Sequence, residues 1–97
     1  MTIEEIIQCY EDVSSEYLQF KNIDMPLHPR PDICAMLYLH NLQPRDTDLV
    51  RGSSKEEIFF DLDIPKLAET ITEKDIIYLV RCGVLFEEEA HLFYMNT

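Results

Sequence analysis

The chain has 97 residues, 46% of them apolar, and a formal net charge of −11 from 19 acidic side chains against 8 basic ones. That length and composition suit one folded domain and exclude a disordered chain. The acidity opposes direct binding to nucleic acid, because phosphate neutralisation needs a basic surface.

Residues 2–21 read as a long amphipathic helix. Thr2 and Glu5 have capping-box spacing. Ile3, Ile6, Ile7, Tyr10, Val13, Tyr17 and Phe20 recur at steps of three and four along one stripe. Pro26, Pro29 and Pro31 then make residues 22–31 a rigid, extended connector, with Pro31 suited to the first turn of the next helix. Residues 32–42 are apolar on nearly every side, as a core helix would be. Residues 43–56, rich in Pro, Gly, Ser and Asp, lose all periodicity and read as a surface loop.

Residues 57–63 alternate as a strand, with Ile58, Phe60 and Leu62 on one side and Phe59, Asp61 and Asp63 on the other. A short helix follows over 64–70. Thr72 and Asp75 form a second capping box for a helix that Gly83 ends. The stretch VLFEEEAHLFYM predicts a hairpin, with strands near 84–87 and 91–95 around Glu88, Glu89 and Ala90. The expected architecture over 1–97 is therefore α+β. It has about four helices and an antiparallel sheet of about three strands, and a β-α-α-β-β unit over 57–95 ends in a C-terminal β-hairpin.

That sheet is apolar on both faces. One face is expected to carry Ile58, Phe60, Leu62, Val84, Phe86, Leu92 and Tyr94, and to lie against the helices of 64–82. The other holds Phe59, Leu85, Phe93 and Met95. The N-terminal helices are the expected cover for it, and a homodimer contact is the competing reading.

The chemistry-bearing residues form no recognisable constellation. Two glycines leave no phosphate-cradling loop, and no cofactor is expected. Cys9, Cys34 and Cys82 are odd in number and widely spaced, without C-x-x-C, which predicts reduced thiols and a cytoplasmic location. Cys34, near Arg30 and His28, is the one thiol with a plausible electropositive setting, yet its neighbours Ile33, Ala35 and Met36 favour a buried structural role. His40 lies six residues on, about 240° round the helix axis, so the two do not converge on a metal. Asp61 with Asp63, and Glu87 to Glu89, read as solvated acids rather than a cation site. No catalytic, cofactor or metal residue is assigned.

No apolar run nears the roughly 20 residues of a membrane helix; the longest, Ile33 to Leu39, has seven. The first residues lack a basic region followed by an apolar stretch, so no secretory signal is expected. The reading that remains is a non-enzymatic adaptor or regulator that binds another protein, with a homodimer possible. Interaction residues are expected at Arg45, Arg51 and Lys55 on the loop and at Phe59, Leu85 and Phe93 on the second sheet face. The alternatives are an acidic mimic of nucleic acid that inhibits a DNA- or RNA-binding protein, suggested by the acids of residues 1–20 and 56–97, and a small enzyme with an unrecognised site.

Overall fold

The computed structural model describes residues 1–96. Its elements are α1 (Ile3–Asp12), α2 (Pro31–Leu42), β1 (Val50–Ser53), β2 (Glu57–Phe60), α3 (Ile64–Ala68), α4 (Glu73–Cys82), β3 (Val84–Glu87) and β4 (Leu92–Asn96). Four helices and a four-stranded antiparallel sheet make the fold α+β, with β3 and β4 as a C-terminal hairpin.

Local chemistry sets the helix ends. Both capping boxes form: Thr2 and Thr72 each accept an amide three residues on, and Glu5 and Asp75 reach back to the cap amides. Pro31 occupies the first turn of α2. Gly83 stops α4 in the left-handed region at φ 95°, where a Cβ would be strained.

The first helix ends far short of residue 21. After Asp12 the chain turns through two 3-10 segments, Ser14–Glu16 and Phe20–Asn22, with Leu18 left-handed at φ 58°. Ser14 and Ser15 weaken the helix locally. Tertiary bonds complete the break. The Leu18 amide donates to the Val80 carbonyl, 3.1 Å. The Arg81 guanidinium bridges both Glu16 carboxylate oxygens and the Asn22 carbonyl. Val13, Tyr17 and Phe20 still pack on the core, so the apolar stripe is used without a continuous helix.

The sheet order is β1-β2-β4-β3. The fourth strand, β1, lies inside the expected loop 43–56. It is exposed throughout and carries a bulge between Val50 and Gly52. Side-chain bonds hold the approach to it: Gln43 exchanges hydrogen bonds with the Asp63 backbone, and Arg45 donates to the Asp61 carbonyl and carboxylate.

Cross-strand register corrects the expected faces. Phe86 pairs with Phe93, and Met95 lies opposite both Ile58 and Val84. The inner face therefore carries Ile58, Phe60, Val84, Phe86, Phe93 and Met95, and the outer face carries Phe59, Leu85, Leu92 and Tyr94. Every residue assigned to β4 changes side, because a strand's side-chain period is two and a slip of one position inverts it. Phe93 is fully buried, so it belongs to the core and not to the second face.

The helices gather on the inner face. Tyr10 of α1 sits beside Phe86 and Phe93, α1 and α2 both pack on α4, and α4 feeds directly into β3. The N-terminal segment covers only one corner of the second face, where Tyr10, Ser14 and Tyr17 share a hollow with Leu85 and Asn96, and it does not extend over Phe59 and Leu92 as the expected arrangement would. The N-terminal helices satisfy their apolar stripe against α3, α4 and the inner face instead. No helix among the described residues is long and apolar enough to cross a membrane.

Candidate protein-binding face

The outer face is a small grid centred on Tyr94. Phe59 of β2 and Leu85 of β3 lie directly opposite Tyr94 on either side, and the register extends the row to Gly52 of β1. Leu92 and Asn96 are its neighbours along β4. Two positions from Phe59 is Glu57; two positions from Leu85 is Glu87. Both carboxylate-bearing residues are therefore diagonal cross-strand neighbours of Tyr94, about 7–8 Å away by sheet geometry, on opposite sides of it.

The grid is half-buried, with Tyr17 and Ser14 against its Leu85–Asn96 corner. Phe59, Leu85, Leu92 and Tyr94 are partly exposed, whereas Phe60, Val84 and Phe93 on the reverse are at 0%. The Phe59 and Tyr94 rings lie 6.1 Å apart at 37°, a tilted pair. A Cβ built at Gly52 meets nothing within 4 Å, so that position leaves the flank of Phe59 open. A shallow hollow of about 300 Å³ results, lined by Arg51, Gly52, Phe59 and Leu92. At the far corner Asn96 donates to the Tyr17 hydroxyl, 3.3 Å.

The field on this face is negative near its centre. The Tyr94 phenol is held above its ordinary pKa by partial burial first, then by the charges of Glu57 and Glu87 and by Tyr17. Glu87 also accepts the Ala90 amide, which ties its carboxylate to the hairpin turn.

The remaining expected interaction residues divide. Phe59 and Leu85 lie together on the open face, and Arg51 borders it. Lys55 is exposed in the connection between β1 and β2. Arg45 is paired with Asp61 at 3.2 Å and is half-buried, so it supports the loop rather than projecting from it. Tyr94 and Leu92 were misplaced by sequence reasoning. One signal could have placed them: Tyr94 and Asn96 carry polar groups at alternate positions, between the wholly apolar Phe93 and Met95.

The cysteine chemistry follows burial. The Cys34 sulfur lies 3.0 Å from the Tyr78 hydroxyl, which also accepts the Leu27 amide at 3.1 Å. Tyr78 stacks on Tyr38 with ring centroids 3.9 Å apart, and the Tyr38 hydroxyl donates to Asp75 at 2.6 Å. Burial, then the bond with Cys34, pushes the Tyr78 phenol up to about 12. Burial likewise drives the Cys82 thiol upward, reinforced by neighbouring Cys34. Thiols so placed are poor nucleophiles. His28 is engaged elsewhere, its Nδ1 accepting the Arg30 amide at 3.0 Å. Asp61 holds Arg45 and Asp63 caps α3, so the two strand-end acids do not converge. Among the described residues no group of three or more His, Cys, Asp or Glu side chains is placed to hold a metal.

Comparison with known proteins finds no matching family model, no similar curated protein and no similar solved structure.

Proposed function

We propose that this chain is a non-enzymatic protein-binding adaptor or regulator, and that its partner docks on the outer face of the sheet. The observation that carries this reading is the contiguous set Phe59, Leu85, Leu92 and Tyr94, partly exposed on the sheet face opposite the buried Phe60, Val84 and Phe93, with the Tyr17 segment reaching only the Leu85–Asn96 corner. Apolar side chains grouped in this way lose free energy to water that a partner recovers by covering them. The patch spans about 10 Å across three strands and about 7 Å along them. It therefore suits the centre of an interface, whose usual area of about 800 Å² per partner needs a rim as well. The hairpin turn and the exposed strand β1 are positioned to supply that rim.

A self-complementary dimer through this face is the weaker occupant, because Glu57 and Glu87 of each copy would approach their counterparts. The nucleic-acid-mimic reading also has less support, since Glu5, Glu16, Asp32, Asp61, Asp63 and Asp75 are each engaged in caps or ion pairs of the fold. A cytoplasmic location is supported by three unpaired, buried thiols.

A photo-crosslinking amino acid placed at Leu92 tests the reading against one placed at Leu37, exposed on α2. The expected result is a discrete cross-linked protein from Leu92 alone, whose purified form binds the full chain and is lost on Leu85→Glu. Equal capture from both positions, or capture only from Leu37, overturns it.

A further inference from the structure

The open face is not neutral, and its charge pattern narrows what can cover it. This inference rests on the reading of that face as a protein-docking surface and concerns the chemistry of the partner. Glu57 and Glu87 flank Tyr94 on opposite diagonals of the same face. The Phe59 and Tyr94 rings lie beside each other between them, each offering a π-face of negative character. Arg51 borders this face beyond Phe59 at the Gly52 hollow, on the side away from Leu85 and Glu87. Negative charge therefore brackets Tyr94 from the β2 and the β3 side, and the hollow at Gly52 remains available to an apolar side chain.

We propose that the partner is a basic segment that lays an arginine side chain on the Phe59–Tyr94 ring pair, between the carboxylates of Glu57 and Glu87. Arginine fits better than lysine because its guanidinium is planar, stacks on rings and presents donors toward carboxylates on two sides. The surrounding Leu85 and Leu92 cover its aliphatic stem, as apolar surface does for long cationic side chains. An acidic segment is rejected by the same two carboxylates.

The probe is a capped pentapeptide of alternating valine and arginine, compared with the same peptide carrying citrulline, the neutral isostere of arginine. Both are titrated into the full-length protein and followed by amide NMR and by the ring 13Cζ signal of Tyr94. The arginine peptide is expected to shift the amides of Phe59, Leu85 and Tyr94 and to bind about tenfold more tightly than the citrulline peptide. It is also expected to lower the Tyr94 pKa, because a cation favours the phenolate, whereas a purely apolar cover would raise it further by burial. The double variant Glu57→Gln with Glu87→Gln is expected to abolish the preference for arginine. Glutamine keeps the oxygen that accepts the Ala90 amide, and the single variant Glu57→Gln, which leaves the turn untouched, is expected to show part of the loss.

Equal binding of the two peptides, no binding of the arginine peptide, or an upward shift of Tyr94 overturns the proposal. Cross-linking from Leu92 reads the docking surface independently. A partner captured there with no preference for arginine leaves the face standing and removes only its cationic occupant.

Discussion

Removing the Tyr10 hydroxyl should make this protein more stable. Tyr10 sits between α1 and the sheet, with ring centroids 6.1 Å from Phe86 and 6.2 Å from Phe93. Its hydroxyl is buried and has no hydrogen-bond partner among the described residues. A buried polar group left in that state costs about 1–3 kcal/mol, while the ring supplies the packing. Tyr10→Phe keeps the ring and deletes the orphaned group, so a gain of about 1 kcal/mol is expected even at the low end of that range. For a domain of this size that gain raises Tm by roughly 4–8 °C.

The assay is urea unfolding of both proteins with the slope compared, since an unchanged slope shows that the same surface is exposed. Alkaline pH gives a second readout. Burial holds the Tyr10 phenol well above its ordinary pKa, so the folded state retains the proton that the unfolded chain releases near about pH 10. The stability contributed by a raised pKa is present below the unfolded value and is lost as pH rises through the folded one. Tyr10→Phe should therefore show a shallower loss than the parent above about pH 10. Unchanged or reduced stability of the variant refutes the reasoning, because the hydroxyl would then have a partner.

Three further outcomes follow from the packing. Gly83→Ala places a Cβ at φ 95° and 2.7 Å from Leu18 Cδ2, and should cost about 1–2 kcal/mol. In a Leu18→Ala background only the backbone part should remain, measured by the same unfolding assay. Tyr78→Phe removes the acceptor for the Leu27 amide and the partner of Cys34, with an expected loss of about 1–2 kcal/mol. Amide exchange at Leu27 should accelerate in that variant before the exchange at Leu79 does. Cys34 and Cys82 are at 0% exposure, so an aromatic disulfide reagent should label neither in the native protein and both after denaturation. Fast native labelling of either thiol would contradict the buried arrangement of α2 against α4.

The ion pair between Arg81 and Glu16 shows how a residue with a plain local role acquires a long-range one. Arg81 lies in the last turn of α4, where a cation suits the helix dipole. In the folded chain it also draws Glu16 and the Asn22 carbonyl across 65 and 59 positions and so helps to end the first helix. The hydrogen bond from Arg81 is the main cause holding the Glu16 carboxyl below the ordinary carboxylate range. The stability this contact adds is therefore present above the ordinary carboxylate range and is lost as pH falls through the lowered folded value.

What the sequence determines by itself is whatever is settled between near neighbours. Thr2 with Glu5 and Thr72 with Asp75 start their helices through bonds spanning three residues, Pro31 opens α2 and Gly83 closes α4, and the C-terminal hairpin joins strands only a few residues apart. Tertiary structure decides what depends on distant partners. The first helix stops where Val80 and Arg81 offer better bonds than another helical turn. Strand β1 exists because β2 pairs with it and Arg45 and Gln43 hold its approach. Apolar periodicity alone leaves the open face undecided, since Leu92 with Tyr94 and Phe93 with Met95 are both apolar enough to be buried, and the alternate polar groups of Tyr94 and Asn96 are a faint signal beside it. Only the cross-strand register, which puts Phe93 against Phe86 and Met95 between Ile58 and Val84, selects one pair for the core and leaves the other on the surface.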